Sequence, residues 1–357
     1  MPRTGEAPVI LLAPDSFKGT FSAAEVAGAL AAGVSAEGGR PDRCPVADGG
    51  EGTMAVLLAA TGGSVAVARV HDPLGRHRDG RFVLLGDGAV AIVETAEASG
   101  LALVADGERD CEAASTRGTG ELLVAAARAG ARRILLGAGG SATTDGGWGA
   151  IEAIREAGGL GDAEVEVLCD VTTPFEAAAR VFGPQKGADA AAIGRLTRRL
   201  DAVAQRLPRD PRGVPMTGAA GGLAGGLWAE VGATLTAGAA AVLDAVGFDA
   251  RLRHATAVVA GEGRIDHQSV RGKVVGEIAA RAARAGVPLH VVVGCDQLDT
   301  RSRERLGPAS VREARTLETI AEAGRRICRQ AAAQAMVARP PRQRPDVDTP
   351  GRAAAGG

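Results

Sequence analysis

The chain has 357 residues, 46% apolar but only 2% aromatic, with no tyrosine and a formal charge of −1. This length suits two ordinary domains meeting at one cleft. Interspersed charges and scarce rings exclude the basic face and stacking platforms of nucleic-acid binding, and no apolar run approaches a membrane span or a signal core. Five cysteines without paired spacing fit reduced thiols and a cytoplasmic location.

Val9 to Ala13 is a continuous apolar run and predicts a buried strand, followed by the polar turn Pro14-Asp-Ser-Phe-Lys-Gly-Thr20. A helix from Ser22 to Ala32 comes next, opened by the capping box Ser22/Glu25. Open parallel sheets hold ligands beyond the carboxyl ends of their strands, so Lys18 is placed to contact a phosphate. The second loop, Pro45-Val-Ala-Asp-Gly-Gly-Glu-Gly-Thr53, precedes a helix from Met54 to Ala60. Its Asp48 and Glu51 suit Mg²⁺, which takes one or two carboxylates plus waters and substrate phosphates.

From Ser64 to Val93 apolar and polar residues alternate, which predicts antiparallel strands and a second, smaller lobe. Ser115-Thr-Arg-Gly-Thr-Gly-Glu121 then leads into a helix from Leu122 to Ala129. The strand Ile134 to Leu136 opens into a loop of five glycines, hydroxyls and one acid that ends at Gly147, and a helix resumes at Trp148. Glycines let the backbone approach a ligand. Ser141, Thr143, Thr144 and the helix N-terminus suit an anion, and Asp145 a cation or a substrate hydroxyl. The same loop reads equally as a tight connection whose side chains cap the helix.

Val165 to Asp170 is a strand ending in an acid, the turn Val181 to Gly187 carries Lys186, and the Arg195 to Arg206 helix has a solvated charged face. The small residues Gly218 to Leu227 fit either close helix packing or a helix N-terminus open to ligand. Ala257 to Ala260 predicts a strand that breaks into the polar loop Gly261 to Lys273, ahead of a helix from Val274 to Ala285. This loop is no Walker A motif, because His267 and Val274 stand where Gly and Ser/Thr are needed, and no dinucleotide glycine fingerprint occurs. Leu289 to Val293 is the last expected strand and Thr319 to Ala335 the last helix. The Pro/Arg/Gly/Ala stretch at 339–357 reads as a disordered tail. Trp148 and Trp228 read as core residues.

As an ordered set, Ala13-Pro-Asp-Ser-Phe-Lys18, Ala47-Asp-Gly-Gly-Glu-Gly-Thr53, Gly118-Thr-Gly-Glu121 and Gly139-Gly-Ser-Ala-Thr-Thr-Asp-Gly-Gly147 resemble the bacterial glycerate kinase family of glyoxylate and glucarate catabolism. Val181-Phe-Gly-Pro-Gln-Lys-Gly187, Ala219-Ala-Gly-Gly222 and Gly261-Glu-Gly-Arg-Ile-Asp266 with Gln268, Ser269, Gly272 and Lys273 complete the match. The chain departs from the family pattern at Thr144, where Asn is usual, and is shorter between Gly159 and Val165 and between Thr172 and Arg180.

The resemblance implies an α/β fold of two domains with the active site in the cleft between them. One is a Rossmann- or flavodoxin-like parallel-sheet domain at 1–63 and 235–338, open to a contribution from part of 115–150. The other is a smaller inserted mixed-sheet domain at 64–234. The implied activity is ATP-dependent, Mg²⁺-assisted phosphorylation of D-glycerate to 2-phosphoglycerate by a cytoplasmic monomer or homodimer without nucleic-acid or membrane partners. Lys18, Asp48, Asp145 and Asp266 are then the candidate catalytic residues, with Asp48 and Asp266 also candidate metal ligands. Ser16, Gly139, Gly140, Ser141, Thr143, Lys186, Glu262, Arg264 and Lys273 are the candidate substrate and ATP contacts. A kinase forming 3-phosphoglycerate and a non-catalytic hydroxy-acid-binding protein are the alternatives; a nicotinamide-dependent dehydrogenase is disfavoured by the missing fingerprint.

Overall fold

The computed structural model describes residues 7–267, 269 and 273–337. Gln268, Gly272 and the expected tail at 339–357 lie outside the described residues. From β1 (Val9–Pro14) the chain passes through α1 (Ala23–Ala36) and β2 (Arg40–Arg43) and crosses to α2 (Thr53–Thr61). It then builds β3 (Gly63–His71), β4 (His77–Leu85), β5 (Val90–Glu94), α3 (Ala96–Ser99) and α4 (Arg117–Arg128). Next come β6 (Arg133–Gly137), α5 (Trp148–Glu156), β7 (Glu164–Cys169), α6 (Ala178–Phe182), α7 (Ala190–Ala204), α8 (Leu223–Glu230) and β8 (Thr234–Ala237). It returns through α9 (Gly238–Ala245) and α10 (Phe248–Leu252) to β9 (Ala257–Ile265) and α11 (Val274–Ala285). The last elements are β10 (Leu289–Asp296), α12 (Thr300–Leu306), β11 (Ser310–Glu313) and α13 (Leu317–Val337).

Two sheets result. One is five-stranded and wholly parallel, in the order β11-β10-β9-β1-β2. The other is six-stranded, β3 to β8 in sequence order, antiparallel through β3-β4-β5 and parallel from β5 onward. The antiparallel block expected from the alternation at 64–93 is therefore formed. β6, within 115–150, lies in the six-stranded sheet. That sheet begins with Gly63 and ends with Ala237. β9 runs on past Ala260 to Ile265 and β10 past Val293 to Asp296, and β2, β8 and β11 are strands the sequence reading did not expect.

Alternation along each strand sorts the core into layers. In β1, Ile10 and Leu12 pack with Val26 and Leu30 of α1 and Ile320 and Ile327 of α13. Leu11 and Ala13 face the opposite layer, with Ile278 of α11 and Val242 and Leu243 of α9. That layer also takes Leu57 of α2 and Val83, Ile92 and Leu135 from the six-stranded sheet, so one continuous core fills the space between the sheets. The other face of the six-stranded sheet is covered by α4, α5 and α8, through Leu122, Ile154 and Leu223. Among the described residues no helix is long and apolar enough to cross a membrane.

Candidate active site

The five-stranded sheet changes direction between β1 and β9: one connection from this pair leads outward to β2, the other to β10. At such a switch point the neighbouring loops part and leave a crevice beyond the carboxyl ends of the strands. β9 stays paired with β10 as far as Ile265, whereas its pairing with β1 ends at Pro14 and Gly261. Glu262 to Ile265 thus project past their β1 neighbour, and the β1 loop folds against them. At Gly263 a Cβ would stand 3.2 Å from Lys18 N and Phe17 Cα, so the close approach needs glycine. The resulting cavity, about 680 Å³, is lined by Ser16, Lys18, Asp48, Glu262, Arg264, Asp266 and Lys273 together with Asp15, Ser269, Gly294, Cys295 and Arg315. Its size is that of a small-molecule site.

Seven expected residues therefore converge. Lys18 Nζ lies 3.3 Å from Asp48 Oδ2, while Asp48 Oδ1 accepts the Gly50 N–H at 3.0 Å. Asp266 closes a turn with Ser269, whose N–H reaches the Asp266 carbonyl at 3.1 Å. Lys273 is the residue before the first turn of α11.

The loop after β6 is built differently. Gly139 and Gly140 border the Asp48 loop: a Cβ on Gly139 would meet Gly50 Cα at 2.6 Å, and one on Gly140 would lie 3.6 Å from Glu51 Oε2. The remainder turns inward. Asp145 is buried, and its carboxylate accepts hydrogen bonds from Thr116 N and Thr116 Oγ1 at 2.8 Å, Gly147 N at 3.1 Å and Gly149 N at 3.2 Å. These bonds tie the starts of α4 and α5 together, and Asp145 is not among the residues lining the cavity. Buried Lys186 donates to Ser141 Oγ at 2.9 Å and to the Thr143 carbonyl at 2.5 Å. Ser141, Thr143 and Lys186 thus bind one another and do not line the cavity. The run Gly218 to Leu227 resolves to close packing: a Cβ on Gly221 would come within 1.9 Å of the Thr143 carbonyl.

A model of the glycerate kinase family matches residues 10–158 and 155–339. The chain belongs to the glycerate kinase family. It is 39% identical over 324 residues to glycerate 2-kinase of Escherichia coli strain K12, covering 80% of this chain and 84% of that protein. Glycerate kinase of Bacillus subtilis strain 168 is 38% identical over 330 residues, covering 82% and 86%. The crystal structure of a putative glycerate kinase 2 from Salmonella typhimurium LT2 superposes with a TM-score of 0.79 at 33% identity, covering 93% of this chain and all of that one.

Beyond the expected acids the cavity takes Asp15, and Asp170 acts on its charges from outside the lining. Asp15, beside Ser16 in the loop after β1, is buried, and its carboxyl is pushed up to about 7 by burial and by the negative charge of Asp48. Burial likewise lifts Glu262 to about 7, although the Ser269 hydroxyl and Lys273 pull it back. Asp170, just beyond β7, is raised by burial and by Asp48 against the pull of Lys273 and Lys18. Partial desolvation in the cavity works to lower the Lys18 pKa, but Asp48, Asp15 and Asp170 together hold it above the ordinary lysine value. The signal for Asp170 was its position as the acid ending a strand, and Glu94 of β5 has the same signal. Cys295 and Arg315 had none: the pairing of β10 with β9 sets Cys295 opposite Arg264, and Arg315, beyond β11, donates to the Gly294 carbonyl at 3.0 Å.

Proposed function

We propose that this chain transfers the γ-phosphoryl group of ATP to the 2-hydroxyl of D-glycerate, giving 2-phosphoglycerate and ADP, in the cytoplasm. The observation that carries the reading is the meeting of Lys18 and Lys273 with Asp15, Asp48, Glu262 and Asp266 in one switch-point cavity. The name of the Escherichia coli relative, glycerate 2-kinase, supports the 2-position.

Phosphoryl transfer asks the protein chiefly for positioning and for neutralisation of phosphate charge. Lys18 and Lys273 supply two point charges, and the Arg264 fork pairs bidentately with an anionic group such as the glycerate carboxylate. Ser16 offers a hydroxyl beside them. The glycerate oxygen bonds to the γ-phosphorus as the bond from phosphorus to the bridging oxygen breaks, and its electron pair leaves with ADP. The hydroxyl proton passes to a carboxylate. Asp15, with a pKa of about 7, is matched to that task at neutral pH.

The residues present fit Mg²⁺. The acidic donors are all oxygens, and Glu262 Oε1 is buried without a hydrogen-bond partner among the described residues. Mg²⁺ takes one or two protein carboxylates and completes its shell with waters and phosphates. Asp48 and Asp266 would hold it, and bound there it would offset charge on the phosphates.

The test is ADP release by the purified protein with ATP, Mg²⁺ and D-glycerate, followed by NMR identification of the product. Glycerate-dependent release with 2-phosphoglycerate as product is expected. Formation of the 3-isomer overturns the regiochemistry, and glycerate binding without release overturns the kinase reading in favour of a binding protein.

A further inference from the structure

Helix α2 has no cap of its own. The residue before it, Gly52, is left-handed at φ 96° and offers no side-chain hydrogen bond. The cap comes from β5 in the six-stranded sheet: Glu94 Oε1 accepts the Met54 N–H at 2.7 Å. Glu94 is buried, and burial pushes its carboxyl up to about 7, which marks a polar group kept at an electrostatic cost.

What this cap holds is the crossover at 44–52, the segment that carries Asp48 from the five-stranded sheet to α2. The return crossover, entering α9, touches it: a Cβ on Gly238 would lie 2.3 Å from the Asp48 carbonyl and 2.7 Å from Gly49 Cα. A Cβ on Gly49 would meet Leu168 Cβ of β7 at 3.0 Å, and one on Gly137 of β6 would meet the Gly49 carbonyl at 2.9 Å and Glu94 Cγ at 3.5 Å. The crossover is therefore boxed in by β6, β7 and α9, with Glu94 fastening its far end. Its open side presents the Asp48 carboxylate to Lys18. Glu94 itself is not among the residues lining the cavity.

We infer that Glu94 is a positioning residue for phosphoryl transfer: by capping α2 from the neighbouring strand it sets where the crossover places Asp48 against Lys18. The inference rests on the kinase reading above. Glu94→Ala removes the acceptor, Glu94→Gln keeps an acceptor oxygen in the same place, and Glu94→Asp, which shortens the reach, serves where the alanine variant does not fold. Asp189→Ala is the control, because it removes a cap of the same kind from α7, where Asp189 accepts the Ala192 N–H at 2.7 Å.

Each variant is measured for kcat, KM for D-glycerate, melting temperature and amide hydrogen exchange of the segment 48–56. Misplacement of a reacting group by about 1 Å can cost about 10²-fold in rate, so E94A is expected to lose roughly 10- to 100-fold in kcat with little change in KM. It should also exchange faster at 48–56, whereas E94Q recovers both readouts and D189A loses stability without losing kcat. The inference is overturned if E94Q is as impaired as E94A, or if E94A and D189A lose kcat alike. If the wild type releases no ADP, it is the kinase reading that fails, and the exchange arm decides alone: unchanged protection of 48–56 in E94A overturns the cap.

Discussion

The loop after β1, Asp15 to Thr20, and the loop after β6, Ala138 to Gly147, both leave parallel strands for helices and both mix glycine, hydroxyls and one acid. The first opens on a cavity of about 680 Å³. In the second, Ser141 to Gly147 are all buried. Strand order accounts for the difference. β1 sits at the point where the five-stranded sheet reverses direction, so its flanking connections diverge. β6 sits in the monotonic run β5-β6-β7-β8, where α4, α5 and α8 all cover one face and the segment at Gly221 and Gly222 closes over the loop. Polar composition marks both loops, and topology decides which of them meets solvent.

The sharpest way to break this contrast is at the two lysines. Lys18→Ala should lower kcat by about 10²- to 10³-fold, the cost of removing one preorganised charge-stabilising group, while the melting temperature moves little, because its side chain is mostly exposed. Lys186→Met should leave kcat per folded molecule nearly unchanged; a kcat loss matching that of Lys18→Ala would place Lys186 in the site.

Next in size is stability in the β6 loop. Asp145→Ala strands four donors in a buried site and should cost about 3–5 kcal/mol in urea unfolding. Gly221→Ala combines a 1.9 Å clash with a left-handed φ of 67° and should cost about 1–3 kcal/mol by the same measurement. Wild-type stability in either variant would contradict the close packing of this loop.

The pH dependence of melting sharpens the contrast last. Asp15 and Glu262 are raised to about 7 from unfolded values near 3.8 and 4.5. Within that window the folded state keeps protons that the unfolded state has released, so stability falls as pH rises to about 7, and Asp15→Asn should flatten part of the fall. Lys186 is the reverse case, lowered by burial to about 7 from 10.5. Above pH 7 the unfolded state holds a proton that the fold excludes, so stability gains toward pH 10, and Lys186→Met should lose that gain.

Local features were legible in the sequence. The Ser22/Glu25 capping box forms as read, with Ser22 N donating to Glu25 Oε2 at 2.8 Å, and α11 spans the expected residues. The loops reaching the cavity through Lys18, Asp48 and Glu262 were all marked by strand-to-helix chemistry. The continuation of β9 was hidden because Gly261 and Gly263 read as breakers, whereas in the fold they permit pairing with β10 and close approach of the β1 loop. Strand order leaves no local trace, which is why the sequence did not separate the buried Asp145 and Lys186 from the cavity-lining Lys18 and Asp48, or single out Asp15. The burial that raises Asp15 and Asp170 comes from elements far apart in the chain.

The central claim, that chemistry belongs to the switch-point cavity and not to the glycine-rich loop after β6, is tested most directly by glycerate-dependent ADP release from Asp48→Asn and Asp145→Asn, each normalised to folded protein. The expected result is a loss of about 10²-fold or more for Asp48→Asn, the scale of removing a group that acts on the reacting phosphate, with Asp145→Asn close to wild type. Full activity in Asp48→Asn with loss in Asp145→Asn would contradict it.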